Sequence, residues 1–398
     1  MDTLHEVIRG RRLATRFQPI VALDDRRVVA YEALTRGPAG SIWESPDVLF
    51  AAARDAGLVP ELDRACRETA LASAVDAGLS EPGSVFINSE PECLAMFADT
   101  VLAGSTPMVV EITERALTGD PAALLRAVRS IRESGWLIAL DDVGADPASL
   151  TMLPLVAPDI IKLDMQLVRT LPNQHSAHIM SAVTAHAEAT GAAILAEGVE
   201  TERQLVTAEA MGATFGQGWL FGRPQTLDET VHAAGLAVHV KPVTGRSTDE
   251  TPFALAARTT PSRRSHRRLL LEISKFLETR AVASQESAIL LSTFQHADNV
   301  GMGTRERYDR MVDDLGLVGV LAEDLGPGLF RDPVHVAAID STDPLVAEWD
   351  VVVLTPDFAA MLVASTNPGD VADGEFDFIL THDRRLVIDS ALSLITRL

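Results

Sequence analysis

From Phe17 to Gly222 the chain alternates short apolar runs with longer segments whose apolar residues recur every three or four positions. The short runs predict strands at Phe17–Leu23, Val28–Leu34, Val85–Asn88, Met108–Ile112, Leu137–Asp142, Ile160–Asp164, Ala193–Glu197 and Ala213–Gln217. Helical spacing lies between most of them, at Glu61–Val75, Ala122–Glu133, Ser176–Ala189 and Glu202–Ala210. The inner runs are apolar throughout and end in polar residues, as parallel strands covered on both faces do. Eight strands with interleaved helices predict an α/β fold, a β/α barrel of the TIM type. A doubly wound open sheet has the same periodicity and stays open as the alternative.

The alternation stops after Val240. Residues 241–268 carry Pro242, Gly245, Ser247, Pro252 and Pro261 and a basic cluster of Arg263, Arg264, His266, Arg267 and Arg268. The stretch predicts a linker, with the cluster as a solvated hinge. Beyond it, Leu269, Leu270, Ile273, Phe276 and Leu277 form one apolar face of a helix over Leu269–Ala281. Strands are predicted at Ala288–Phe294, Leu317–Leu321, Val334–Ile339, Val351–Leu354 and Phe376–Leu380, and helices at Thr304–Leu315 and Thr355–Ala364. The organisation is thus a barrel at 1–240, a linker at 241–268 and a smaller α/β domain at 269–398.

Polar residues at the barrel strand ends carry the chemistry. They are Glu32, Asn88, Glu111, Asp141 with Asp142, Lys162, Glu197 and Gln217. From Glu111 onward, successive positions are spaced by about one strand-plus-helix unit, and such positions converge on one face of a barrel. Carboxylates gathered with one amide and one lysine call for a cation among them. Oxygen donors without Cys or His suit Mg²⁺ or Mn²⁺ rather than zinc. Two such ions about 4 Å apart would clamp a phosphodiester and activate a water. Any one of these carboxylates alone reads as an ion-pair partner or helix cap. The ordered set does not.

The same residues sit in Phe17-Gln18-Pro19-Ile20, Tyr31-Glu32-Ala33-Leu34-Thr35-Arg36, Phe86-Ile87-Asn88, Glu111-Ile112-Thr113-Glu114, Asp141-Asp142, Ile161-Lys162-Leu163-Asp164, Ala196-Glu197-Gly198-Val199-Glu200 and Gln217-Gly218-Trp219-Leu220-Phe221-Gly222-Arg223-Pro224. In this order they resemble the EAL family of bacterial cyclic di-GMP phosphodiesterases. The resemblance implies a modified β/α barrel that hydrolyses cyclic di-GMP to linear pGpG with Mg²⁺ or Mn²⁺. Glu32, Asn88, Glu111 and Asp141 would hold one ion, and Asp142 the second with Asp141 bridging. Lys162 would act on the attacking water, Glu197 would complete the shell, and Gln217 would help hold it. Arg36 would contact a substrate phosphate, Glu114 would tether the loop after Asp142, and Asp164 would support that region. A homodimer is implied as well.

That loop departs from the family's Asp-Asp-Phe-Gly-Thr-Gly and reads Asp141-Asp142-Val143-Gly144-Ala145-Asp146-Pro147. The departure opens a second reading, a weak or inactive receptor that binds cyclic di-GMP without useful turnover. The C-terminal region, through Leu270–Glu278 and on to about Asp389, resembles the DICT domain, a sensory module whose ligand or partner the resemblance leaves unknown. Two smaller features read as ordinary structure. Gly301-Met302-Gly303 predicts a turn before a helix. His175 and His178 predict a solvated helix face.

Composition narrows the setting. The chain has 398 residues, 47% hydrophobic and 23% charged, with a net charge of -22. That charge argues against nonspecific nucleic-acid binding, which needs a basic surface. It leaves a phosphate substrate open, because bound cations invert the local field. No apolar run is long enough for a membrane span, the start lacks a signal-peptide pattern, and Cys66 and Cys93 offer no disulfide framework. These features predict a cytoplasmic protein, and no cyclase signature occurs.

Overall fold

The computed structural model describes residues 3–79, 81–96, 108–113, 116, 119–146, 149–227, 235, 250–284, 287–326, 328–366 and 374–398. The chain divides into two compact units, the first mainly from residues up to Lys241 and the second mainly from residues after it. The first is a closed eight-stranded barrel. Its strands are β1 (Ala14–Ala22), β2 (Val28–Arg36), β3 (Val85–Asn88), β4 (Val109–Ile112), β5 (Leu137–Val143), β6 (Ile160–Leu163), β7 (Ala193–Ala196) and β8 (Phe215–Gln217). The strand-end residues therefore lie where the apolar runs stop. The helices in this part of the chain are α1 (Leu4–Arg9), α2 (Pro46–Ala56), α3 (Val59–Asp76), α4 (Pro121–Glu133), α5 (Ser149–Val156), α6 (Met165–Arg169), α7 (Gln174–Thr190) and α8 (Glu202–Ala210), of which α5 and the first turn of α4 belong to the second unit.

Strands β2 to β8 pair in parallel, whereas β1 runs antiparallel to both β2 and β8. Only residues 23–27 separate β1 from β2. A parallel pair needs a crossover of a dozen residues or more, so this connection can only close a hairpin. Ile20, Phe86, Val109, Ala139, Ile160 and Leu195, all fully buried, fill the barrel interior. His175 and His178, in the first turns of α7, are exposed, as a solvated helix face requires.

The second unit is a seven-stranded mixed sheet in the order β12-β11-β10-β13-β14-β15-β9. Its strands are β9 (Arg263–His266), β10 (Ile289–His296), β11 (Leu317–Glu323), β12 (His335–Ile339), β13 (Glu348–Leu354), β14 (Ala359–Ser365) and β15 (Glu375–Thr381). Helices α9 (Pro252–Ala257), α10 (Arg267–Ala283), α11 (Met302–Met311) and α12 (Arg384–Ile395) accompany it. Along β13, Trp349, Val351 and Val353 join Leu270 and Leu277 of α10 in one apolar cluster. Alternation turns Glu348 to the other face, where its carboxylate accepts a hydrogen bond from the Phe253 N–H of α9 at 3.0 Å. Gly301 is the N-cap of α11, so the Gly301-Met302-Gly303 turn opens a helix. No helix among the described residues is long and apolar enough to cross a membrane.

Three local expectations are corrected here. Thr355–Ala364 is not a helix: Ala359–Ser365 is β14, paired antiparallel with β13 and β15. Ala, Met and Leu favour helices, but a segment buried between two strands follows its neighbours. The stretch read as a linker contains α9 and β9, and the basic cluster, solvated as expected, is not a hinge but lies on β9 and the start of α10. Arg263 and Arg264 lie on an edge strand, with Arg264 paired to Asp377 at 3.3 Å, and charged residues are a common guard for such an edge. On α10 the buried stripe is Leu270, Ser274, Leu277, Glu278 and Ala281, while Leu269 and Phe276 are 49% and 58% exposed. The inward face is therefore rotated, and it holds two polar residues.

Candidate active site

Register explains how distant residues meet. Asn88 pairs directly with Glu111 across β3 and β4. Glu111 pairs with Ala139, so Asp141, two residues on, has the same orientation one step toward the strand end. Lys162 pairs with Leu195 in the same way, and Glu197 follows two residues later. Gln217 ends β8, and Glu32 stands in the middle of β2 opposite Gln18 of β1.

Lys162 is the hub. Its side chain is 1% exposed, and Nζ lies 2.5 Å from Glu111, 2.8 Å from Asp141 and 2.7 Å from Glu197. Glu32 takes its partners from the other side, accepting from Asn88 Nδ2 at 3.0 Å and from Gln217 Nε2 at 2.6 Å. These partners set the charges. Burial would lower the Lys162 ammonium, but Asp141, Glu111, Glu197 and Glu32 hold it well above the ordinary lysine value. Burial and the neighbouring Glu32 carboxylate raise Glu111 well above the usual carboxylate range. Burial likewise pushes Glu197 up to about 8, with Lys162 opposing and Asp141 adding. Glu32 goes the other way: burial opposes, but Lys162 and the Gln217 and Asn88 amides hold it below its ordinary value.

The donor set fits a hard cation. One carboxylate oxygen each from Asp141, Asp142 and Glu197 lie within 4.8 Å of one another. Gln217 Oε1 is buried without a hydrogen bond among the described residues, and Glu111 has only Lys162 and the neighbouring Glu32 carboxyl among them to meet its charge. Acceptor atoms left in that state suit a cation with oxygen ligands.

Above the cluster opens a cleft of about 190 Å³, with Glu32, Glu197 and Gln217 in its wall. Gln18, Met165, Arg169, Glu200 and Trp219 also line it, and the sequence reading gave none of them a role. Gln18, Glu200 and Trp219 stood inside the quoted motifs, which was their only signal. Arg169 pairs with Glu200 at 2.6 Å, and the Arg223 guanidinium stacks 4.2 Å from the Trp219 ring. The turn carrying Trp219 needs Gly218: at φ +154° a Cβ there would lie 2.1 Å from the Val199 carbonyl oxygen.

Other expected residues stand elsewhere. Arg36 lines a separate depression with Arg12, Arg16 and Glu44, and not the cleft. Asp164 caps α6 by accepting from the Gln166 N–H at 2.8 Å. Glu114 lies outside the described residues. The altered loop begins with Asp142 at φ +52° and Gly144 at φ +97°. Val143 is fully buried and pairs with Leu163 of β6, so it takes an inward position at the start of the loop. Pro147 lies outside the described residues.

The fold and the cluster together define a β/α-barrel protein with an acidic cation site. The chain belongs to the EAL domain family, whose profile matches residues 1–224. A second profile, of the sensory domain in diguanylate cyclases and two-component systems, DICT, matches residues 253–367. The cyclic di-GMP phosphodiesterase RocR of Pseudomonas aeruginosa is 30% identical over 240 residues, 56% of this chain and 61% of that protein. The probable cyclic di-GMP phosphodiesterase PdeB of Escherichia coli is 29% identical over 232 residues, 55% of this chain and 44% of that one. Among solved structures, the manganese and cyclic di-GMP complex of Klebsiella pneumoniae BlrP1 is 30% identical over 54% of this chain and 57% of that chain, with a TM-score of 0.48. The first curated relatives are matched over only 28% to 44% of their own length.

Proposed function

We propose that the barrel is a metal-dependent phosphodiesterase that hydrolyses cyclic di-GMP to linear pGpG, and that the second unit modulates its rate. The observation that carries this reading is the convergence of Glu111, Asp141 and Glu197 on the buried Lys162 at the strand ends. Glu32, Asn88, Glu111, Asp141, Asp142 and Glu197 would hold Mg²⁺ or Mn²⁺, which would supply Lewis acidity and an acidified water. The remaining work falls to protein groups. The Lys162 ammonium, fixed by three carboxylates, orients the attacking water and offsets negative charge gathering on the phosphodiester. Gln217 and Asn88 hold the Glu32 carboxylate in place. The cleft side chains Trp219, Arg169 and Met165 receive the nucleotide, with Arg36 reserved for a phosphate beyond the cleft.

In this reading the barrel serves as enzyme and the second unit, which includes α9 and β9, as sensor, and the molecule acts as a cytoplasmic homodimer. Family membership and the buried, unpaired Cys66 and Cys93 support that setting. Incubation with cyclic di-GMP and Mg²⁺ or Mn²⁺ tests it, following pGpG by chromatography with chelator and Lys162→Ala controls. Metal-dependent product that is lost in the variant supports the enzyme. Bound nucleotide without product moves the barrel to the receptor reading, which the altered loop from Val143 to Pro147 favours.

A further inference from the structure

The buried stripe of α10 breaks the rule that inward helix positions are apolar, and it does so at two adjacent turns. Ser274 is 5% exposed, and its Oγ has no hydrogen-bond partner among the described residues. A mid-helix serine ordinarily returns its hydroxyl to a carbonyl one turn back, and an unpaired buried hydroxyl costs about 1–3 kcal/mol. One turn on, Glu278 is 2% exposed but fully engaged. It accepts from Arg307 Nε at 2.6 Å and Nη2 at 3.3 Å and from the Tyr308 hydroxyl at 3.2 Å.

Both side chains line one cavity of about 100 Å³ in the second unit. Its apolar wall includes Trp349 and Phe376, whose rings meet edge to face with centroids 5.7 Å apart. Arg267 and Lys275 stand in its lining as well. Glu278 is neutralised by Arg307, Lys275 shares an exposed pair with Glu272, and Arg267 has no side-chain partner among the described residues. The cavity therefore has a surplus of positive charge in a chain whose net charge is -22.

We propose that this cavity binds a small single-ring aromatic carboxylate, its ring against Trp349 and Phe376, its anionic group on Arg267, and the Ser274 hydroxyl as an additional hydrogen-bond partner. Size and chemistry agree. The enclosed part, about 100 Å³, is smaller than the cavity of about 150 Å³ that takes benzene, so at most one ring fits, with part of the ligand in the open side. Aromatic rings meet at favourable edge-to-face geometry, and a guanidinium offers two parallel donors to a carboxylate. Gln295, in the cavity lining, has φ +60° where the β10 register with β11 shifts, a backbone state that accumulates at ligand sites. The inference does not rest on the barrel's chemistry.

Calorimetry on the full chain with benzoate, benzamide and acetate as probes tests it. Benzoate binds at one site at least about tenfold more tightly than benzamide, which lacks the charge, while acetate, which lacks the ring, gives no binding heat. The exposed Arg267→Gln weakens benzoate by about tenfold, and Ser274→Leu, which fills the cavity, abolishes it. Lys162→Ala leaves benzoate binding unchanged. The inference is overturned by no benzoate binding at about 10 mM or by equal binding of benzoate and benzamide. Affinity unaffected by both cavity substitutions, or lost in Lys162→Ala, also overturns it.

Discussion

The two units gather buried polar groups in opposite ways. In the barrel, several carboxylates crowd one lysine, so the site is completed by an added cation. In the second unit, the buried Glu278 carboxylate is already closed by Arg307 and Tyr308, and what remains around the cavity is positive. One site is built on strand ends, where register aligns distant residues. The other is built on a helix stripe, where a hydroxyl replaces a core side chain. The lesson is that a buried polar group signals function when its hydrogen-bond and charge requirements stay unmet, and structure when they are met.

Removing the barrel's hub is expected to have the largest effect. Lys162→Ala leaves Glu111, Asp141 and Glu197 facing one another and lowers pGpG formation on the order of a hundredfold or more. An active variant would mean that the hub is structural only. The second unit offers a counterpart in Arg307→Ala, which strands Glu278 with only the Tyr308 hydroxyl. It is expected to cost about 3 kcal/mol of stability without touching the barrel chemistry, because one partner of a buried pair is lost. Denaturant unfolding reads this; an unchanged midpoint would show that Glu278 needs no cation.

The same unit supplies a pH dependence. Burial raises Glu348 from 4.5 to about 7, and burial beside Glu348 raises Asp350 well above its ordinary value. The folded state thus holds these protons more tightly than the unfolded chain. The stabilisation is full below about pH 4.5 and is lost as pH rises through about 7. The second unit should lose about 2 kcal/mol or more between pH 5 and pH 8, and Glu348→Gln should make that slope shallower while the buried Asp350 keeps part of it. A flat wild-type profile would contradict the buried acid pair. The smallest effect is expected at the altered loop. Gly144→Ala meets a left-handed backbone and a Cβ contact of 2.7 Å with Leu167, costing about 1–2 kcal/mol. Unchanged stability in the variant would mean that the loop relaxes freely.

How much was legible in the chain follows the same division. The barrel strands and most of the ordered set from Asn88 to Gln217 could be read because the apolar runs stop at or beside the residues that carry chemistry, whereas Glu32 stands in the middle of β2. Arg36 and Asp164 could not be placed, since strand position alone does not say whether a side chain enters the cleft or caps a helix. The hairpin between β1 and β2 follows from the five residues that join them. In the second unit, β14 is built from helix-favouring residues and β9 from basic ones, so only strand pairing defines them. The apolar residues of α10 pointed to a face holding Leu269 and Phe276, and the buried Ser274 and Glu278 were hidden because polar residues vote outward in any periodicity argument.

The most direct measurement of the central claim, that the strand-end carboxylates form a cation site, is a Mn²⁺ titration followed by electron paramagnetic resonance, without nucleotide. The wild-type chain is expected to take up Mn²⁺ at the barrel, and Asp141→Asn combined with Glu197→Gln to lose that uptake while benzoate binding to the second unit persists. Wild type and variant titrating alike would contradict the account.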